Sequence, residues 1–182
     1  MKTFHELQEG VYDPNILKAF FLAGGPGSGK SYVVKRTTGG LGMKIVNSDI
    51  AFEKKLKDAG LSLDIRELDP EVRDEIRGQA KRITAKQKAN YLNGRLGLII
   101  DGTGKDYDKI AKQATELKQL GYDVHMIFVN TSLDTALERN AKRDRKVPES
   151  LVIKSWNDVQ KNIGKFSQYF RRNFIVVANN DS

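Results

Sequence analysis

The sequence predicts an α/β domain with a five-stranded parallel sheet and helices on both faces. Five short apolar runs recur along the chain, separated by stretches that read as helices, and strands alternating with helices form parallel sheets joined by crossovers. A glycine-rich segment, Gly24 to Gly29, follows the first apolar run directly. Acids follow the second and third runs at Asp49 and Asp101. Open α/β sheets hold ligands at these C-terminal strand ends. A length of 182 residues suits one domain spanning 1–182.

Residues 1–17 read as a peripheral lead-in, with a turn at Asp13-Pro14-Asn15. Lys18 to Ala23 is a buried-strand run, and Lys30 to Thr38 has helical character. Lys44 to Asn47 is a second strand. Ile50 to Ala59 is an amphipathic helix stopped by Gly60. Asp69-Pro70-Glu71 signals a helix start, with Asp as cap, Pro in the first turn and acid beside the dipole. That helix runs to about Leu92 and breaks at Asn93-Gly94. Leu96 to Ile100 is apolar on both faces, as in a central parallel strand. A helix from Asp106 to Leu120 closes at Gly121, and Tyr122 to Val129 is the fourth strand. Ser132 opens a helix towards Arg145, which Pro148 breaks. Glu149 to Phe170 reads as one long helix, and Phe174 to Ala178 as the last strand.

There is no cysteine, which excludes disulfides and thiolate metal sites. Two histidines, His5 and His125, are too few for a His-rich zinc site. His125 lies mid-strand and is expected to pack, as is Trp156 in the late helix. No apolar stretch spans a bilayer, and Met1 to Gly10 lacks a signal-peptide core. The expected setting is soluble and cytoplasmic, with no membrane partner. The net charge of +8 favours anionic partners, nucleic acid among them, although many basic proteins have no such partner. Nothing in the sequence singles out a protein partner.

Gly24-x4-Gly29-Lys30-Ser31 fits the phosphate-binding Walker A pattern, between a strand and a helix as that loop requires. Glycines let successive N–H groups turn inward on phosphate oxygens, and the helix adds its positive end. Gly25, Pro26, Gly27, Ser28, Gly29, Lys30, Ser31 and Tyr32 are thus the candidate nucleotide contacts. Lys30 is expected on the β- and γ-phosphates of ATP or GTP, and Ser31 on Mg2+. Asp49 can take a proton from an attacking hydroxyl. The position also suits a helix N-cap, supplied by Ser48 or Asp49. Asp101, before Gly102-Thr103-Gly104, suits a magnesium-holding acid or an ordinary strand-to-helix turn. The two glycines would let backbone approach a substrate. Arg139 and Arg143 share one helical face. They suit either a lid closing over a nucleotide or a solvated basic helix end.

Together these segments resemble the P-loop kinases of the zeta-toxin and polynucleotide-kinase group, from about Lys18 to Pro148. The chain also resembles compact kinases encoded by bacteriophages. The resemblance implies that Asp49 in Val46-Asn47-Ser48-Asp49 is the general base. It implies that Asp101 and Thr103, in Ile99-Ile100-Asp101-Gly102-Thr103, contact a sugar-nucleotide acceptor. It makes residues 139–148 a lid in which Arg143 stabilises transferred charge and Arg139 contacts the nucleotide. Polynucleotide kinases carry Arg three positions after the base, where this chain has Phe52. That departure counts against the polynucleotide reading, and no appended phosphatase domain is expected. The expected activity is ATP- and Mg2+-dependent phosphoryl transfer to a small hydroxyl compound. The alternatives are a 5′-hydroxyl polynucleotide kinase and a nucleotide-regulated binding module that transfers nothing.

Overall fold

A computed structural model describes residues 16–37, 42–144 and 146–180. The predicted lead-in up to residue 15, the helix end at Thr38, and Arg145 lie outside the described residues. Five parallel strands form one sheet: β1 (Lys18–Ala23), β2 (Lys44–Val46), β3 (Leu98–Asp101), β4 (Asp123–Asn130) and β5 (Phe174–Ala178). Their order is β2-β3-β1-β4-β5. β1 therefore pairs on both sides, with Phe21 opposite Ile100 of β3 and Met126 of β4. Chain order reverses around β1, so a crevice opens at its C-terminal end.

Side chains alternate across the sheet. Phe21, Leu98, Met126 and Phe128 face one way, against Ala114 and Leu117 of α4 (Tyr107–Gln119) and Phe166 and Phe170 of α7 (Ile163–Phe170). Leu22, Ile99, Ile127 and Val129 face the other way, against Val33 and Val34 of α1 (Lys30–Thr37). Burying each such large side chain contributes about 1.5–3 kcal/mol. A smaller core of Phe52, Leu56, Leu68 and Ala80 joins α2 (Ser48–Asp58) to α3 (Pro70–Asn93). In the connection between them Arg66 grips Asp64, and that hydrogen bond pulls the Asp64 pKa down to about 2.

α3 starts as its sequence implies: Asp69 accepts from the N–H groups of Glu71 and Val72, with Pro70 in the first turn. Two helix ends differ from expectation. α5 (Leu133–Lys142) stops short of Arg145. The buried Asn140 amide donates to Val147 O at 2.7 Å and accepts from Val147 N at 3.1 Å, holding the chain in a loop. The stretch from Glu149 to Phe170 is two helices, α6 (Glu149–Gln160) and α7. The break falls where buried Asn162 donates to the carbonyls of Gly104 and Lys105. Among the described residues, no helix is long and apolar enough to cross a membrane.

Candidate active site

The loop after β1 turns on Gly27, at φ +79°. A Cβ there would lie 2.3 Å from the Ala136 carbonyl oxygen of α5, so only glycine fits. Lys30 opens α1 and donates to Gly24 O at 2.7 Å, with Gly25 O at 3.4 Å. Ser28 Oγ is buried and finds no hydrogen-bond partner among the described residues. Gly25 is buried against the Trp156 backbone, while Pro26 to Tyr32 line a cleft of about 1130 Å3.

Asp49 reaches the same cleft from the first turn of α2. The expected cap at Ser48 or Asp49 is instead Asn47, whose side-chain oxygen accepts from Asp49 N at 2.8 Å. The Asp49 carboxylate is therefore not the cap, and it sits 3.8 Å from Arg77 Nη1 of α3. The same Asn47 amide donates to Asp101 Oδ2 at 2.8 Å. β2 and β3 run side by side, with Val46 opposite Ile100, so the residues after them meet. Asp101 Oδ1 is buried and has no partner among the described residues. Burial pushes the Asp101 pKa up, and nearby Lys30 draws it back.

The turn after β3 crosses the start of the glycine loop: Gly24 N–H donates to Thr103 O at 2.8 Å. Asp101, Gly102 and Thr103 line the cleft. Gly104 does not open backbone to a substrate. At φ +84°, a Cβ there would sit 2.7 Å from Ala23 Cβ, so this glycine lets the turn pack on β1.

Arg139 and Arg143 both border the cleft. Arg139 Nη1 donates to Asn179 O at 2.9 Å. Asn179, just past β5, also donates through Nδ2 to Ser28 O at 2.8 Å. It thus ties α5 to the phosphate loop. Nothing in its local sequence signals this, because the contact depends on β5 lying beside β4. Trp156 is half-buried and donates its indole N–H to Thr131 O at 2.9 Å. His125 packs as expected, stacked on Phe20 with ring centroids 5.0 Å apart.

No group of three carboxylates or histidines gathers among the described residues. Magnesium needs few protein ligands, since it keeps several waters and binds substrate phosphates. Ser31 and the unpartnered Asp101 oxygen, both on the cleft, fit that sparse set.

A family-wide sequence comparison matches the zeta toxin family over residues 8–182. The chain belongs to the zeta toxin family. By family and fold it is a P-loop kinase domain. No curated protein matches it in sequence. Among solved structures it is similar to a chain of the AvrRxo1-ORF1:-ORF2 complex with ATP: TM-score 0.73, 14% identity, covering 90% of this chain and 55% of that one. This zeta toxin relative thus spans little more than half of that chain. It is also similar to a chain of the PezAT chromosomal toxin-antitoxin system of Streptococcus pneumoniae, with TM-score 0.67, 17% identity, and 98% and 74% covered. A third likeness is to the Pnkp1/Rnl/Hen1 RNA repair complex, with TM-score 0.62, 21% identity, and 84% and 47% covered.

Proposed function

We propose that this zeta toxin family chain is a single kinase domain that transfers the γ-phosphate of ATP, with Mg2+, to a hydroxyl of a small molecule such as a sugar nucleotide. The observation that carries this reading is the shared cleft, where the phosphate loop, Asp49, Asp101, Thr103, Arg139 and Arg143 all meet. Its volume of about 1130 Å3 exceeds the ~300–1,000 Å3 of a typical single-ligand pocket. That supports a nucleotide and an acceptor bound together. Likeness to a chain solved with ATP supports ATP as the donor.

In this mechanism the loop amides and Lys30 hold the β- and γ-phosphates. Ser31 and Asp101 would hold Mg2+, which offsets phosphate charge. Thr103 and Asp101 hold the acceptor. Its oxygen bonds to the γ-phosphorus as the bond to the bridging oxygen breaks, and ADP leaves with the electron pair. Asp49 receives the hydroxyl proton. Arg143 of the lid, residues 139–148, neutralises the moving charge, and Arg139 contacts the nucleotide. Arg73, Lys105 and Lys154 also line the cleft, which favours a second reading in which the acceptor is a 5′-hydroxyl nucleic-acid end.

The test is transfer of labelled γ-phosphate to UDP-N-acetylglucosamine, nucleoside monophosphates and a 5′-hydroxyl oligonucleotide. A labelled product is expected, falling at least about a hundredfold in Asp49→Asn while ATP affinity stays. Full activity in that variant would remove Asp49 from the role of base. ATP binding with no product from any acceptor would favour a binding module.

A further inference from the structure

Asn179 stands behind the phosphate loop, just past β5, and has no part in the transfer steps described above. Its backbone is a fixed post. The N–H donates to Asn130 O at 2.9 Å, and the carbonyl accepts from Thr131 Oγ1 at 2.8 Å and Arg139 Nη1 at 2.9 Å. The next residue is tied down as well, because Asn180 Oδ1 accepts from Ser132 N–H at 2.8 Å. From that post the Asn179 side chain reaches Ser28 O, with Nδ2 at 2.8 Å. It is seated so closely that a Cβ on Gly29 would lie 2.1 Å from Nδ2. A peptide unit is planar, and in its trans form the C=O and the following N–H point opposite ways. The Ser28–Gly29 unit is trans. Holding Ser28 O back towards Asn179 therefore turns Gly29 N–H the other way, towards the cleft that Gly29 lines. That N–H has no hydrogen-bond partner among the described residues, whereas Ser28 N–H is already bonded to Gly25 O at 3.2 Å. Glycine offers little steric resistance to rotation of this unit, so its direction depends on an outside anchor.

We infer that Asn179 is a positioning residue for the donor nucleotide: by anchoring Ser28 O it aims Gly29 N–H at a phosphate oxygen. This role rests on the loop gripping nucleotide phosphates, as proposed above. An N–H already turned to the cleft meets the phosphate without reorganising first, and a hydrogen bond to a charged group is among the stronger ones. The strength of the phosphate grip is thus set in part by a side chain some 150 residues beyond the glycine loop in sequence. Because the aimed group touches phosphate and not the base, it acts alike on any ligand that carries the same phosphates.

The test is calorimetric titration of ATP and of inorganic tripolyphosphate, each with Mg2+, into wild type, Asn179→Leu and Asn179→Ala. Leu keeps the outline of the side chain and removes the donor without changing charge. Thermal unfolding without ligand shows that each variant is folded. Both ligands are expected to bind on the order of tenfold more weakly in both variants, and by the same factor. Unchanged affinities in a folded Asn179→Leu overturn the inference. So does a loss for ATP with tripolyphosphate unaffected, which would place Asn179 at the base instead of behind the loop. The wild type supplies a second readout by amide NMR: the Gly29 proton should move downfield when ATP binds. A Gly29 proton that stays in place overturns the inference whether or not the variants fold. Wild type that binds neither ligand sinks the phosphate-loop reading as well, whereas unchanged variants beside a wild type that binds both sink this inference alone.

Discussion

Asn47 links two acids of the cleft through one side chain: its oxygen caps α2 beneath Asp49, and its nitrogen donates to Asp101. Sequence alone places both acids after strands, yet leaves Asp49 divided between base and cap. Asn47 takes the cap, because a cap must precede the first helical residue and α2 begins at Ser48, and the Asp49 carboxylate is left facing the cleft. Asp101 has a cost that can be measured. Burial raises its pKa, so on a rising pH the unfolded chain loses this proton first. The folded chain is then left with a charge in a poorly solvated place. Stability attributable to this group is therefore highest below the ordinary carboxylate range and falls as pH climbs through its raised pKa. Asp101→Asn is expected to melt a few degrees above wild type near pH 7 and level with it near pH 3, while losing phosphotransfer. Calorimetry at both pH values checks this; an equal gap at both would mean the buried charge is not the cause.

At the scale of elements, starts were more legible than stops. Asp69-Pro70-Glu71 carries its whole capping apparatus in adjacent residues, and α3 begins there. The end of α5 and the break between α6 and α7 depend on Asn140 and Asn162, whose partners are backbone groups outside their own helices. Helical spacing continues through both asparagines, so periodicity could not see either boundary. Asn140 in particular holds the loop after α5, which begins with Arg143. Asn140→Ala leaves the Val147 N–H and C=O without their partner and is expected to cost about 2 kcal/mol, with a raised KM for ATP. Urea unfolding and steady-state kinetics would measure the two effects. A stability loss with unchanged KM would mean that the loop does not contribute to nucleotide binding.

For the whole molecule, the sheet order β2-β3-β1-β4-β5 brings the ends of β1, β2 and β3 to one cleft. Those strand ends were legible because apolar runs and the acids after them are local. The contributions of Arg77 and Asn179 were not, since each comes from an element whose position only the folded sheet and its helices define. ATP with Mg2+ at about a hundred times its Kd is expected to stabilise the chain by ~2.7 kcal/mol, a rise in Tm of several degrees. Gly27→Ala, which sets a Cβ against Ala136 O, should abolish the rise; an undiminished shift would mean that ATP binds away from the loop. The two acceptor readings also part at this scale. A gel shift with single-stranded oligonucleotide should weaken steeply with salt if nucleic acid is the acceptor, and no shift at low salt would count against it. The chain has one tryptophan, and its backbone lies behind Gly25 with its indole tied to Thr131 O. Its emission therefore comes from the rear wall of the phosphate loop. Mixing with nucleotide in a stopped-flow cell should give an optical trace of loop filling from the unlabelled protein, on the timescale of the event itself.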